Sequence, residues 1–253
     1  MNLFSRLLGA VFPKQVTAVK DGINELAIYD RGDAMILKVN GITYSTLSKN
    51  SVYTGSYWDY FIPLPYVFQN AKVLLIGFGG GTIPYQYHRL FGAKVRVESI
   101  ETSEKMVELS KKFLPRGFHP SVTVGDGAEA VEKARGAYDI IILDAYRSFQ
   151  IPEQFFSGEF IADACMALKP GGLLAINLVE NFTNLGFLSN SLPLLKSRFS
   201  VYKVRLPISF ENSVVICAKG LDRQAIIRKI AEKMPATPQN RKILGAYRNM
   251  RDL

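Results

Sequence analysis

Three carboxylic acids in the middle of the chain, Glu101, Asp126 and Asp144, have the positions at which a folded chain could do chemistry. Each ends a short run of apolar or β-branched residues, so a parallel strand would present it at the carboxyl edge of a sheet, where open α/β sheets bind ligands. There a carboxylate can accept hydrogen bonds from ribose hydroxyls or from an adenine amino group. It can also orient and deprotonate an acceptor, with a pKa that depends on burial. The alternative for each acid alone is a helix cap or a solvated strand end.

A glycine-rich turn precedes Glu101 by about twenty residues, a separation typical of nucleoside-binding units. The apolar run before it predicts a buried strand, and Gly77 allows a sharp turn where that strand ends. Gly79 and Gly81 let the backbone approach a ligand more closely than a Cβ atom would permit. Glycine turns also occur as plain tight connections. Combined with the acids, this turn predicts the nucleoside corner of a Rossmann-like α/β domain, with Glu101 on the ribose and Asp126 on the adenine.

Asp144 is followed by a segment in which a substrate could react. Residues 145–152 include Tyr146 and Arg147, and an acid at the start of such a loop can orient and deprotonate an acceptor. A second candidate region is the aromatic stretch 51–69, most of whose rings should be core. Some of its hydroxyls could line a substrate cleft between two domains. The candidates are Tyr53, Tyr57 and Tyr60.

The elements that must position these residues follow a strand, helix, strand rhythm from Lys72 onward, which predicts a parallel sheet. The predicted strands end near Ile76, Ile100, Val124, Leu143 and Leu178. Segment 169–172, Lys-Pro-Gly-Gly, predicts a tight helix-to-strand connection. Segments 201–206 and 214–218 predict an antiparallel pair at the sheet edge.

We expect three parts along the chain. Residues 1–68 comprise an N-terminal segment and a small β domain, a meander of strands at 23–29, 35–39 and 42–44. Residues 69–220 form the nucleoside-binding domain, and residues 221–253 form a basic helical tail. Within the first part, residues 1–12 predict a short helix that packs on its own domain or on a partner, rather than a signal peptide.

Composition limits the other possibilities. The net charge of +9 is concentrated in the tail, which could bind nucleic acid, although a solvated helical face is the preferred interpretation because no aromatic ladder accompanies the charges. No run approaches the ~20 apolar residues of a membrane span. Two cysteines in apolar patterns, Cys165 and Cys217, indicate buried thiols in a reducing cytoplasm, and with two histidines they lack metal-ligand spacing.

The order of motifs resembles that of the spermidine synthase (polyamine aminopropyltransferase) family over roughly residues 41–219. The matching segments are the glycine turn, Ile100-Glu101, Gly125-Asp126-Gly127, the strand to Asp144, Phe156-Ser-Gly-Glu-Phe160 and Leu168-Lys-Pro-Gly-Gly172. The resemblance implies a methyltransferase-type sheet, decarboxylated S-adenosylmethionine as donor, an amine acceptor, no metal and a homodimer. It also implies that Glu101 holds the ribose, that Asp126 and Gly127 hold the adenine, and that Asp144 removes or orients the amine proton.

Two departures from the family's pattern concern charge. Gly79 stands where the family has an aspartate, and Arg147 stands where the loop after Asp144 has a second acid. A cation placed ~4 Å from a like charge costs about 4 kcal/mol at an effective dielectric constant of 20. Either Arg147 points out of the pocket, therefore, or it pairs with a carboxylate of S-adenosylmethionine or of the acceptor.

Two other functions remain open at this point. Asp144-Ala-Tyr-Arg147 is similar to a motif of metal-dependent O-methyltransferases, which makes a methyltransferase the main alternative enzyme, although the later Asp-Asn ligand pair of those enzymes is missing. The missing acids would also permit a nucleoside-binding protein without catalytic activity. These functions differ in the nucleoside product that each would release.

Overall fold

The computed structural model describes residues 13–207 and 212–253, and its first part is a small antiparallel sheet. The strands pair in chain order as Lys14–Asp21 (β1), Asn24–Asp30 (β2), Ala34–Val39 (β3) and Ile42–Ser48 (β4). The sequence predicted β2, β3 and β4 but missed β1. Most side chains of β1 are exposed or partly exposed, so this edge strand lacks the apolar alternation that marked the others.

The second sheet has the order β12-β10-β11-β9-β8-β5-β6-β7 within the described residues. Its strands are Ala71–Ile76 (β5), Val95–Glu101 (β6), Ser121–Val124 (β7), Tyr138–Leu143 (β8), Leu168–Val179 (β9), Ser200–Arg205 (β10), Asn212–Ala218 (β11) and Arg251–Asp252 (β12). Strands β5 to β9 pair in parallel, whereas β10, β11 and β12 are antiparallel additions. The predicted Rossmann-like fold with a small N-terminal β sheet is therefore confirmed.

Helices connect these strands, and most begin at a capping side chain. They are Thr82–Phe91 (α1), Glu104–Phe113 (α2), Gly127–Glu132 (α3), Gly158–Ala167 (α4), Phe182–Lys196 (α5), Arg223–Lys233 (α6) and Pro238–Arg248 (α7). Ser103 caps α2 and Ser157 caps α4, in each case by accepting a backbone N–H three residues on. Such caps define where each helix starts relative to the strand tip before it.

The core lies on both faces of the large sheet, because successive side chains of a strand point to opposite faces. In β8, Ile140 and Ile142 pack on one side with α1, α6 and α7, while Ile141 and Leu143 pack on the other with α4 and α5. A third cluster, which includes Leu37 and Phe113, joins the small sheet to α2. The small sheet is thereby packed next to the strand tips that carry the predicted acids.

Two details of the large sheet differ from the sequence prediction. Lys169 to Gly172 is not a connection but the first part of β9, where the pairing with β8 shifts register between Tyr138 and Ile140. The β10–β11 pair does not form the edge, because Arg251 pairs with Lys203 and adds β12 outside β10. The proposed tail is thus packed against the sheet.

Several sequence predictions concern features outside the sheets. The predicted N-terminal helix, residues 1–12, lies outside the described residues. Cys217 is buried in β11 and Cys165 is partly buried in α4, and both are free thiols. Among the described helices, none is long and apolar enough to cross a bilayer. In the tail, Arg223 pairs with Asp252, and this arginine lies outside the cavity described below.

Candidate active site

A cavity of about 760 Å³ opens between the small sheet and the carboxyl ends of β5, β6 and β8. It brings together most of the residues that the sequence predicted. Those that line it are Gly77, Gly79, Glu101, Asp126, Gly127, Asp144, Tyr57, Tyr146 and Arg147. The strand tips therefore converge on one space, as the parallel arrangement requires.

Gly77 directly follows β5 and lies against the backbone of Asp144 and Ala145, which directly follow β8. Its N–H donates to the carbonyl oxygen of Ile100 at 3.0 Å, and the N–H of Asp144 donates to the carbonyl oxygen of Ile76 at 2.8 Å. The φ angle of Gly77 is +90°, and a Cβ atom there would lie 2.6 Å from the backbone carbonyl carbon of Asp144. Only glycine fits this position, because any side chain would displace the backbone that carries Asp144.

Glu101 is turned toward the glycine loop at the end of β6. Its carboxylate accepts the N–H of Gly79 at 3.0 Å and the N–H of Ser103 at 3.1 Å. Burial raises the pKa of Glu101, and these two backbone donors oppose that rise. The carboxylate is thus held at the cavity wall with its position set before a ligand arrives.

Asp126 lies both at the start of a helix and at the cavity wall. Its side chain caps α3 by accepting the N–H of Ala128 at 2.7 Å, and it also lines the cavity. The side-chain amide of Gln154 donates to both of its carboxylate oxygens, at 3.2 and 3.1 Å. Next to it, a Cβ atom on Gly127 would overlap the side chain of Ile76. Helix α3 can start this close to β5 only because residue 127 is glycine.

Asp144 has the strongest shift toward neutral pH among the cavity acids. Its carboxylate accepts hydrogen bonds from the hydroxyl of Tyr57 at 3.3 and 3.2 Å and from the side-chain amide of Asn177 at 2.8 Å, and it also interacts with the Trp58 side chain. Burial raises the pKa of Asp144 to about 7, although these donors act in the opposite direction. A carboxyl group with this pKa can gain or lose a proton near neutral pH, as a general base must.

The structure identifies two partners of Asp144 that the sequence analysis did not nominate, Trp58 and Asn177. Trp58 lies on a short 3-10 turn, Tyr57–Phe61, and Asn177 is a buried amide near the end of β9. Its Oδ1 accepts from the side-chain amide of Asn212 at 3.1 Å. A lone amide inside the apolar run of β9 was the available signal, because a buried polar side chain requires a partner.

The turn that carries Tyr57 and Trp58 is held by Asp59. This buried carboxylate accepts the N–H groups of Thr54 at 2.9 Å and Gly55 at 2.8 Å, and the side-chain amide of Gln86 at 2.7 Å. Its pKa is raised by burial, and the same donors oppose the rise. Asp59 therefore connects the turn to α1 and determines where the two aromatic side chains stand.

Replacing Asp59 with alanine should destabilise the fold, because the buried Gln86 amide and three donors of Thr54 and Gly55 would lose their acceptor. We expect the free energy of unfolding to fall by about 3 kcal/mol, in the range known for buried unsatisfied polar groups. Urea denaturation of Asp59→Ala beside Asp33→Ala, an exposed acid of the small sheet, would measure this loss. Equal stabilities for the two variants would contradict the anchoring role of Asp59.

Three sequence-predicted residues lie elsewhere. Tyr53 does not line the cavity, because its hydroxyl donates to Oδ1 of Asn240 in α7 at 2.8 Å. Tyr60 is buried in the core. Gly81 also lies outside the cavity lining. It caps α1 with φ +85°, and a Cβ atom there would lie 2.7 Å from the ring of Phe78.

In the loop after Asp144, the side chains of Tyr146 and Arg147 have different surroundings. The Tyr146 hydroxyl donates to the carbonyl oxygen of Asn177 at 2.6 Å and accepts the N–H of Val179 at 3.0 Å, so it fastens the loop to β9. Arg147 is exposed, and its backbone pairs with Gln150 through hydrogen bonds of 2.9 and 3.2 Å. Arg147 is nevertheless one of the residues that line the cavity. In the described part of the chain, no group of three or more potential metal-binding side chains occurs.

Comparison with known proteins gives one family. The family model of the spermine/spermidine synthase domain matches residues 61–222. The chain is 29% identical over 158 residues to a probable polyamine aminopropyl transferase of Bifidobacterium longum, covering 61% of this chain and 35% of that protein. It is 26% identical over 184 residues to spermidine synthase of Dictyostelium discoideum, covering 66% of this chain and 63% of that protein. The chain thus spans less than two thirds of either relative.

Solved structures share the fold. Spermidine synthase from Thermotoga maritima has a TM-score of 0.68 and 20% identity, covering 92% of this chain and 84% of that one. A spermidine synthase in complex with the transition state analogue AdoDATO has a TM-score of 0.67 and 21% identity, covering 92% and 83%. Human methyltransferase-like protein 13 in complex with SAH has a TM-score of 0.54 and 22% identity, covering 75% and 87%.

Proposed function

Because the chain belongs to the spermine/spermidine synthase domain family, we propose that it is a transferase that moves an aminopropyl or related group from a nucleoside sulfonium to an amine. The donor is decarboxylated S-adenosylmethionine or S-adenosylmethionine itself. One observation carries this proposal, namely that Asp144, with a pKa of about 7, lies in the same cavity as the glycine turn and Glu101. The cavity thereby places a proton acceptor near the residues proposed to bind a nucleoside.

At the nucleoside end, Glu101 would accept the ribose hydroxyls beside the backbone of Gly79, and Asp126 with Gly127 would contact the adenine. Both glycines line the cavity beside these acids, so their backbone lies within reach of a nucleoside bound there, which supports these roles. Complexes of related folds with AdoDATO and with SAH support a donor derived from S-adenosylmethionine.

At the other end, Asp144 would accept the proton of the attacking amine. The nitrogen lone pair forms a bond to the carbon next to sulfur, the carbon–sulfur bond breaks, and its electron pair remains on sulfur. Asp144 takes the proton that leaves the new ammonium centre. Tyr57 and Asn177 would hold the carboxylate in line with the reacting atoms, and such alignment is the main catalytic contribution in a displacement of this kind.

We expect the protein to release methylthioadenosine when it is incubated with decarboxylated S-adenosylmethionine and a panel of amines. Separation of the nucleoside products by chromatography would measure this. Release of S-adenosylhomocysteine from S-adenosylmethionine would show a methyltransferase instead. Absence of both products, with nucleoside binding retained, would show a binding protein without catalytic activity.

A further inference from the structure

The charges around Asp144 do not suit a plain diamine. The side chains in contact with Asp144 are neutral, namely Tyr57, Trp58 and Asn177. The charged residue that lines the same cavity from the loop after β8 is Arg147. The other acids of the cavity wall are Asp21, Glu101, Glu104 and Asp126, which lie toward the nucleoside end. Asp21 accepts from Ser103, Glu101 from Gly79 and Asp126 from Gln154, and Glu104 is followed by the cationic Lys105, which also lines the cavity.

The net charge at this end of the cavity is therefore zero or positive. Asp144 supplies at most one negative charge, and its raised pKa leaves it partly protonated at neutral pH. Arg147 supplies a permanent positive charge. An ammonium group held ~4 Å from that guanidinium would lose on the order of a thousandfold in affinity at an effective dielectric constant of about 20. A ligand that brings its own negative charge avoids this loss.

Arg147 is available to bind such a ligand. Among the described residues, no carboxylate lies within salt-bridge distance of its guanidinium, although ten other cationic side chains have such partners. Its backbone is held by the two hydrogen bonds to Gln150 around Ser148, which has φ +58°. A guanidinium on a braced turn can bind a carboxylate through two parallel N–H···O bonds.

We propose that Arg147 selects a ligand carboxylate at the Asp144 end of the cavity, so that one substrate of this protein is an amino acid rather than a simple amine. The carboxylate belongs either to the donor, as in S-adenosylmethionine, or to an acceptor that carries both an amine and a carboxylate. This inference rests on the proposed function, because it places the carboxylate in the same cavity. Arg147 is a specificity-determining residue, and the carboxylate takes no part in bond breaking.

Calorimetry with matched ligands tests the proposal. The donor pair is S-adenosylmethionine and its decarboxylated form; the acceptor pair is ornithine and putrescine, titrated with methylthioadenosine present. In the wild type we expect the carboxylated member of one pair to bind about tenfold to a hundredfold more tightly, as a charge-assisted bidentate contact allows. The pair that shows the preference identifies the source of the carboxylate.

Two variants test whether Arg147 is responsible for this preference. Arg147→Gln should abolish it, whereas Arg198→Gln, which removes an exposed arginine outside the cavity, should leave it unchanged. Equal affinity within both pairs, or a preference that survives Arg147→Gln, would overturn the proposal. Binding of methylthioadenosine alone distinguishes failure of the Arg147 proposal from failure of the proposed function. If this neutral nucleoside binds the wild type and Arg147→Gln equally, the nucleoside site is supported. If it does not bind at all, the proposed function and this inference are both wrong.

Discussion

Substituting asparagine for Asp144 is expected to lower turnover by about 10²–10⁴-fold, the usual contribution of a general base. Asparagine cannot accept a proton, which removes the general base. It keeps the size of the side chain, so donor affinity should change little. Steady-state kinetics together with calorimetry would separate the two effects. In the wild type, kcat/KM should rise with pH and level off above about pH 7, where the carboxyl group is ionised.

The stability of Asp144→Asn provides a control, because the direction in which its difference from the wild type changes with pH can be predicted. Burial raises the pKa of Asp144 from 3.8 to about 7, so the folded state favours the protonated form. Wild-type stability should therefore be lost as the pH rises through this window, while Asp144→Asn lacks that loss. The stability gain of the variant over the wild type should be larger at about pH 8 than at about pH 4 in urea denaturation.

Asp163→Asn is the matched substitution, because Asp163 lies on α4 outside the cavity and should affect neither turnover nor the pH profile. Unchanged turnover in Asp144→Asn would remove Asp144 from the mechanism. A turnover loss accompanied by an equal loss of donor affinity would instead assign it to binding.

Replacing Gly77 with alanine is expected to have the second large effect. Its Cβ atom would lie 2.8 Å from Cα of Ala145 and would overlap the carbonyl group of Asp144. The tip of β8 would have to move, and misplacement of a reacting group by ~1 Å can cost about 10²-fold in rate. Overpacking should also lower the free energy of unfolding by about 1–3 kcal/mol beyond the strain of the backbone angle. Turnover and urea denaturation would measure these losses.

Gly220→Ala separates the clash from the backbone angle. Gly220 has φ +80°, close to the +90° of Gly77, but a Cβ atom there would meet nothing within 4 Å. Its variant should lose only about 1 kcal/mol, the strain of alanine in a left-handed conformation, and should keep its turnover. Equal losses in the two variants would show that the close approach of β5 and β8 is unimportant for the site.

These experiments bear on an arrangement that the sequence predicted in part. Residue types and the spacing of apolar residues were sufficient to predict the strands of the parallel sheet, which end where predicted or one residue later. The glycine turn and the acids at the strand tips followed from the same patterns, because parallel strands must bring their carboxyl ends to one edge. That rule placed Gly77, Glu101 and Asp144 around a common cavity without knowledge of any long-range contact.

What surrounds Asp144 was decided by packing between distant segments. Tyr57 reaches it from 87 residues earlier in the chain, and Asn177 from 33 residues later. Tyr53, only four positions before Tyr57, instead meets Asn240, 187 residues away. Periodicity and turn chemistry are local properties, so they determine where strands begin and end. The direction in which a side chain on an irregular segment points depends on which surface that segment packs against, and this is settled only when the whole chain has folded.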